Sequence, residues 1–431
     1  MHHIQSVSVE GFWDTHKLGF ELKPHVTFFI GQNGTGKTTL INLVAAALTS
    51  DFRTLDRIAF KKITITLTPG EGLKEQPQII VTKVSRKDRP FEFVEYRIKT
   101  GKPGPEIKFA LDEAEEELFA RRRYAAEHFE MIRRRSFTGI ASALSELVSV
   151  NWLSVNRTSL ADRPPSERPA SFESSLDLKL KALSDEIVRY FSTLSKMKDD
   201  EIRQFQESMI ISLVEAHEGL DFLDVRRLDK LDEYEVALKT IFNELGVSQT
   251  KSESLTADYM RRGRALKQAT RGRNDEPRSI EDLMVLVNLR RIEEVVKRWH
   301  LLQGRLSKIF APRERYLKIA RDLFQRKTME ITASNELHFT SRTGKSLPYQ
   351  VLSSGEKQLL ILLSETLLQR ERPAIFIADE PELSLHVLWQ EKLVASLRTL
   401  NPNAQIIAAT HSPDIVGNMS RHAINMESLI P

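Results

Sequence analysis

The spacing of apolar residues changes several times along the chain, and each change marks a segment. Alternation of apolar and polar positions predicts strands at Ile4–Val9 ("IQSVSV") and Leu18–Leu22 ("LGFEL"). His25–Ile30 ("HVTFFI") is a short unbroken apolar run, the pattern of a strand covered on both faces. "GQNGTGKTT" follows, and then "LINLVAAAL", an apolar helix start. Strand patterns return at Lys62–Leu67, Gln78–Val84 and Phe91–Ile98. The loops between them carry Pro69-Gly70, Pro77, Arg89-Pro90 and Gly101, so a small antiparallel lobe is expected.

From Leu111 the spacing becomes helical. Leu111–Arg135 carries charges of both signs and reads as an exposed helix. Asn151–Arg157 ("NWLSVNR") reads as a strand, and the Pro-rich stretch Ala161–Ser171 as a boundary. Ser175–Arg326 is nearly all helix signal, with no heptad repeat long enough for an extended coiled coil, so a packed insertion of short antiparallel helices is expected. Strand signals resume after Thr328: Glu336–Ser341, then "AIFIADE" and "QIIAATHS" with the helix "LWQEKLVASLRTL" between them, then a last short strand near Ala423–Met426. The two apolar runs that end in polar residues have the pattern of parallel strands with functional C-terminal tips. The expected class is α/β. The expected division is an N-terminal lobe at 1–110, a connector at 111–174, a helical insertion at 175–328 and a C-terminal lobe at 329–431.

Composition narrows the setting. The chain is 41% hydrophobic and 28% charged, ordinary for a soluble globular protein with a large core. No stretch approaches the about 20 apolar residues that span a bilayer, and "MHHIQSVSVEGFW" lacks the charged-then-apolar order of a signal peptide. The absence of cysteine excludes disulfides and thiolate metal sites and fits a reducing compartment, so a cytoplasmic location is expected. The net charge of +4 is only mildly basic. Arginines concentrate at Arg121–Arg123, Arg133–Arg135 and Met260–Arg278. Such patches suit phosphate backbones, a protein partner or a solvated helix face.

The candidate chemistry sits at four places. Gly31, Gly36, Lys37 and Thr38 fit G-x-x-x-x-G-K-[ST] between an apolar strand and an apolar helix. Glycines let backbone N–H groups point at phosphate, and the helix N-terminus adds a favourable dipole. Asn33, Gly34 and Thr39 complete the loop. Lys37 is expected on the β/γ-phosphates and the Thr38 hydroxyl on Mg²⁺. Asp379 ends an apolar strand and is the second candidate for Mg²⁺; Glu380 beside it is the candidate general base. His411 ends the next strand and can contact a γ-phosphate. The fourth place is "VLSSGEKQLL", Val351–Leu360. Locally Ser353 and Glu356 read as a capping box before an apolar helix. A capped helix start is also a good anion site, so both roles fit.

Taken in order, "GQNGTGKTT", "LSSGEKQ", "IFIADEPELSLH" and "AATHSP" resemble the ABC-type ATPase heads of the SMC and OLD-nuclease families. "DEPELSLH" followed by "THSP" looks most like the ATPase subunits of two-component anti-phage systems of the Septu or PARIS kind. The resemblance covers about 1–110 and 330–431. It implies a P-loop ATPase head, a mixed and parallel sheet plus an antiparallel β lobe, interrupted by the helical insertion. It implies ATP and Mg²⁺ as ligands and head-to-tail packing of two subunits. Ser353, Ser354, Gly355 and Glu356 of one subunit would then cap ATP held by the other's phosphate loop. Ser384-Leu385-His386 would communicate between the two sites. Ser354 departs from the usual second glycine. No glutamine holds the usual Mg²⁺-linked position plainly; Gln76 and Gln78 are candidates, and Arg157 is a candidate nucleotide or interface contact.

The resemblance also shapes what the ATPase is for. The sequence ends 20 residues after His411, so no fused nuclease domain is expected and the effector would be a separate protein. The leading expectation is an ATP-driven sensor and scaffold that assembles into dimers or larger oligomers and controls such an effector, a nuclease. Two alternatives stand beside it. One is an SMC-like DNA-repair ATPase that binds DNA or RNA through the Arg-rich insertion. The other is a scaffold that uses ATP for assembly without hydrolysing it.

Overall fold

The fold is taken from a computed structural model, which describes residues 1–70, 75–85, 92–101, 106–110, 139–153, 175–214, 224–270 and 279–430. The expected helix at Leu111–Arg135, the stretch Ala161–Ser171, Arg157 and the arginines beyond residue 270 of the Met260–Arg278 patch lie outside the described residues. The chain divides into two compact units, 1–189 with 314–431, and 190–313.

The first unit holds three sheets. One is antiparallel, in the order β2-β1-β4-β5-β6-β7. Its strands are β1 (Ile4–Phe12), β2 (His16–Glu21), β4 (Lys62–Leu67), β5 (Gln78–Ser85), β6 (Glu92–Lys99) and β7 (Ile107–Ala110). This is the expected antiparallel lobe. The alternation in β4 buries Ile63, Ile65 and Leu67 and turns the residues between them outward. A three-stranded antiparallel sheet is made by β9 (Lys327–Ile331), β10 (Leu337–Ser341) and β11 (Ser346–Leu347).

The third sheet positions the candidate site. It is parallel throughout, in the order β14-β3-β13-β12-β8. The strands are β3 (Val26–Ile30), β8 (Val150–Leu153), β12 (Ala374–Asp379), β13 (Ala404–Ala409) and β14 (Ala423–Asn425). Their apolar runs are buried without alternation, as expected for a sheet covered on both faces: every residue of β13 and all but the last of β3 and β12 are buried. Because β13 lies between β3 and β12, their C-terminal tips sit side by side. Asp379 pairs with Ala409, and Ala409 with Phe29. Helix α1 (Lys37–Thr49) follows β3, α2 is Phe52–Arg57, and Leu40, Ile41, Leu43, Val44 and Leu48 of α1 enter one core with Ile375, Ile377 and Ile407.

Helix α3 (Ser175–Val214) has 40 residues and α6 (Ile280–Leu323) has 44; between them come α4 (Leu231–Glu244) and α5 (Gln249–Thr270). The short helices expected from sequence are therefore corrected for α3 and α6. A polar stretch such as Met197–Glu201 interrupts the apolar stripe but not the backbone hydrogen bonding, so stripe length underestimates helix length. The second unit has its own core, including Phe205, Leu231, Tyr234, Met260, Leu286 and Trp299. Helix α7 (Ser354–Leu368) carries the "SSGE" start, and α8 (Val387–Leu400), α9 (Pro413–Val416) and α10 (Met426–Leu429) complete the C-terminal part. Within the first unit α7 is gripped on several sides: Lys357 pairs with Asp177 at 2.7 Å, Lys179 with Glu365 at 2.5 Å, and the Tyr316 hydroxyl bonds Ser364 at 2.9 Å.

Candidate nucleotide site

Three strand tips build the site. After β3 the chain turns through Gly31 (φ 144°), Gly34 (φ 85°) and Gly36 (φ 83°), backbone angles that favour glycine. Gly36 also allows a close approach: a Cβ there would stand 2.9 Å from the Trp13 ring, which the β1–β2 turn presents. Lys37 is buried, and its Nζ donates to the carbonyls of Gly31 and Gln32, both at 2.8 Å. The lysine thus closes the loop on itself. Burial pushes its ammonium below the ordinary value, while the carboxylates of Glu380, Asp379 and Glu427 work against that. Glu427, on α10, also accepts a hydrogen bond from the Gln32 backbone N–H at 3.3 Å. Asn33 and Gly34 are exposed at the loop surface, and Thr39 is half-buried on α1.

From α1, the Thr38 hydroxyl donates to Asp379 Oδ1 at 3.0 Å. Burial holds the Asp379 carboxyl above the usual carboxylate range; Thr38 and Lys37 pull it back, and Glu380 and Glu382 push it further up. Glu380 has φ 47°, an uncommon angle for a residue with a side chain, and its N–H donates to the Ala409 carbonyl at 2.8 Å. The Thr410 N–H in turn donates to the Phe29 carbonyl at 3.1 Å, so hydrogen bonds stitch the three tips together. His411 Nε2 lies 3.7 Å from Glu380 Oε1, a pair of opposite charges only when the imidazole is protonated. Lys37, Thr38, Asp379, Glu380 and His411 are therefore brought together. A hydroxyl and a carboxylate oxygen side by side are the hard-oxygen set that suits Mg²⁺, and a loop of glycines at positive φ beside a buried ammonium suits phosphate.

The "SSGE" start forms a second cluster. Ser353 caps α7: its Oγ accepts from the Glu356 N–H at 3.3 Å, and the Ser353 N–H donates to Glu356 Oε2 at 2.7 Å. The capping box read from sequence is thus present, and Ser354 is exposed in the first turn. Lys327 Nζ donates to the same Glu356 oxygen at 2.6 Å. Burial disfavours the Glu356 charge, but Lys327 and Ser353 outweigh it and hold the carboxyl below its ordinary value. Gly355 is buried where a Cβ would run into the Ser384 carbonyl oxygen, so glycine is required there by the chain's own loop. Ser384 has φ 71°, and His386 caps α8 by accepting from the Leu388 N–H. Ser353 and Glu356 line a pocket of about 290 Å³ with Arg326, His386, Leu388 and Trp389, and none of residues 31–38 lines it.

Other candidates fall elsewhere. Gln76 bonds Gln5 on the antiparallel lobe, and Gln78 lies on β5 opposite Thr66 and Lys99. In the second unit Arg261 and Arg262 pair with Asp258, Arg264 with Asp232 and Glu235, and Lys267 with Asp229. Two residues near the tips carried no sequence signal of their own, Trp13 and Glu382. Trp13 falls between the expected strands Ile4–Val9 and Leu18–Leu22, and Glu382 reads as one more acid after a proline; only the tertiary contact reveals either.

Among known families, the model described as "AAA domain, putative AbiEii toxin, Type IV TA system" matches residues 26–417. A Vibrio cholerae protein, "Retron Vc95 probable ATPase", is 31% identical over 96 residues, 20% of this chain and 19% of that protein. The Septu protein PtuA of Bacillus thuringiensis is 28% identical over 89 residues, 18% of this chain and 22% of that protein. The chain thus spans about a fifth of the length of the curated relatives it matches. Among solved structures, an Smc head domain with an extended coiled coil from Pyrococcus furiosus aligns over 97% of this chain and 92% of that one, with 15% identity and a TM-score of 0.38. An Smc head domain from Pyrococcus yayanosii aligns over 97% and 94%, with 16% identity and a TM-score of 0.39. The resemblance to P-loop ATPases of defence systems holds in the family match and in the named relatives. Among the described residues no helix is long and apolar enough to cross a membrane.

Proposed function

Because the chain belongs to the AAA-domain family whose model matches residues 26–417, we propose that it binds ATP with Mg²⁺ and hydrolyses it at a site shared head to tail between two copies. We further propose that the assembly is a sensor and scaffold controlling a separate effector, a nuclease. The observation that carries the ATPase reading is the meeting of Lys37, Thr38, Asp379, Glu380 and His411 at neighbouring strand tips, although 341 residues separate Thr38 from Asp379.

The roles follow from the atoms. The backbone N–H groups of the 31–38 loop and the Lys37 ammonium bind phosphate oxygens, the lysine exchanging its bonds to Gly31 and Gln32 for them. Thr38 Oγ1 and Asp379 hold Mg²⁺, which when bound neutralises charge developing on the phosphates. Glu380 orients the attacking water and takes its proton. His411 Nε2 donates to a γ-phosphate oxygen. The Ser353 Oγ lone pair serves the Glu356 N–H, which leaves the Ser353 O–H to donate to an anion from the facing copy. Lys327 neutralises the Glu356 carboxylate that would otherwise repel that anion.

Support for sharing comes from the separation of the two clusters: the pocket at Ser353 contains no phosphate-loop residue. Similarity to the Septu protein supports the defence setting. The DNA-repair alternative has less support, because Arg261, Arg262 and Arg264 already face carboxylates. The test uses the purified full chain. It is expected to hydrolyse ATP with Mg²⁺, to lose hydrolysis on Lys37→Ala, and to cleave no DNA by itself. Nuclease activity without a partner overturns the separate effector. ATP-dependent association without hydrolysis overturns the enzyme and leaves the scaffold.

A further inference from the structure

We infer that Glu382 is the positioning residue of His411, holding the histidine's backbone from below without touching the reacting atoms. Glu382 is buried although it bears a carboxylate. Its Oε1 accepts three hydrogen bonds from the turn that carries the histidine: the Thr410 hydroxyl at 2.5 Å, the His411 N–H at 2.9 Å and the Ser412 N–H at 3.2 Å. Its Oε2 is buried and has no hydrogen-bond partner among the described residues. A carboxylate is rarely buried unless the donors around it repay the lost hydration. Here the donors are two successive backbone N–H groups and one hydroxyl, all on one turn.

The arrangement ties two strand tips together below the site. Glu382 follows β12 by three residues, and the turn it holds follows β13 directly. The tie continues outward. Ser412 Oγ donates to Gln390 Oε1 at 2.7 Å, Gln390 Nε2 donates to the Leu385 carbonyl at 2.9 Å, and the Leu385 N–H donates back to the Glu382 carbonyl at 2.8 Å. The result is a closed ring of hydrogen bonds through Glu382, Ser412, Gln390 and Leu385. Among the described residues the His411 ring has one side-chain partner, Glu380 at 3.7 Å, so its ring position depends on its backbone, and its backbone on Glu382. A shift of about 1 Å in a catalytic group costs on the order of a hundredfold in rate, so a lost anchor is read in turnover.

The effect on turnover rests on the ATPase reading; the anchoring itself does not. The experiment is therefore done on the nucleotide-free full chain first, by amide hydrogen exchange. Glu382→Ala is expected to speed exchange at His411 and Ser412 about tenfold or more, with residues 31–38 unchanged. Glu382→Gln keeps an accepting oxygen and is expected to stay near wild type. Thr410→Val, which removes one donor, gives a smaller acceleration in the same peptide and serves if Glu382→Ala does not fold. Unchanged exchange in both Glu382→Ala and Thr410→Val overturns the inference. In steady-state hydrolysis, Glu382→Ala is expected to lower kcat about tenfold or more with KM within about twofold, and Glu382→Ala with His411→Ala to be no slower than His411→Ala alone. Losses that multiply overturn the positioning role. A wild-type chain that hydrolyses no ATP overturns the proposed function, while the exchange result still decides the anchor.

Discussion

The Thr38 hydroxyl donates to Asp379 across 3.0 Å, joining the start of α1 to the tip of β12. The contact puts both proposed Mg²⁺ ligands together before any ion arrives. It also places a carboxylate where burial disfavours its charge, so the folded Asp379 holds its proton to higher pH than the unfolded one. The folded state then binds more protons, and stability falls as pH rises from the ordinary carboxylate value through the raised one. Asp379→Asn is expected to flatten that slope and raise the Tm of the nucleotide-free protein at neutral pH, while abolishing Mg²⁺-dependent hydrolysis. Thermal melts of the nucleotide-free protein at pH 4, 5.5 and 7 check the first half, and phosphate release from ATP with and without Mg²⁺ checks the second.

Gly355→Ala tests the contact with Ser384. The new methyl meets a backbone carbonyl, which cannot swing aside as a flexible side chain can. The expected cost is about 1–3 kcal/mol in denaturant unfolding, together with loss of ATP-dependent association, since the 383–386 loop must move.

Lys327→Ala tests the compensation of Glu356. With its carboxyl held below the ordinary value, Glu356 contributes stability that is present above the unfolded pKa and lost as pH falls through the lowered one. Removing Lys327 is expected to cost about 1–2 kcal/mol at pH 7, and progressively less as Glu356 protonates. Urea titrations at pH 7 and pH 3.5 measure the difference. An equal cost at both values would show that the lysine acts through packing.

Glu380→Gln separates turnover from binding. The amide keeps the side-chain shape but cannot take a proton, so hydrolysis should fall by about 10²-fold or more. Nucleotide affinity should remain and the ATP-bound assembly should persist. Unchanged slow hydrolysis would mean that Glu380 is not the base.

Much of this was legible in the sequence, for physical reasons. The parallel strands β3 and β12 announce themselves by unbroken apolar runs, and the expected bounds lie within about one residue of those in the structure; the alternating β4 matches its expected Lys62–Leu67, while the polar end of "QIIAATHS" runs past β13, which stops at Ala409. The gathering of Lys37, Thr38, Asp379, Glu380 and His411 was legible because the proposed phosphate chemistry calls for those residue types where parallel strands end and the next helix starts. The short strands β7, β9 and β11 were not read, since two to five residues carry too little periodicity. Helix lengths failed where polar stretches broke the stripe. Trp13 and Glu382 failed for a different reason: each matters through a partner distant in sequence, Gly36 for one and the 410–412 turn for the other. For the Arg-rich α5 the sequence leaves a phosphate backbone, a protein partner and a solvated face all open, because acids on neighbouring segments, such as Asp232 and Asp229, cannot be matched to it from spacing alone.

The shared site is the central claim, and Ser353→Arg tests it most directly. Nucleotide binding, light-scattering mass with and without ATP, and hydrolysis are measured on the same preparation. The account predicts ATP affinity close to wild type, a mass that no longer rises with ATP, and no hydrolysis. A Ser353→Arg chain that stays monomeric and hydrolyses ATP at the wild-type rate would contradict it.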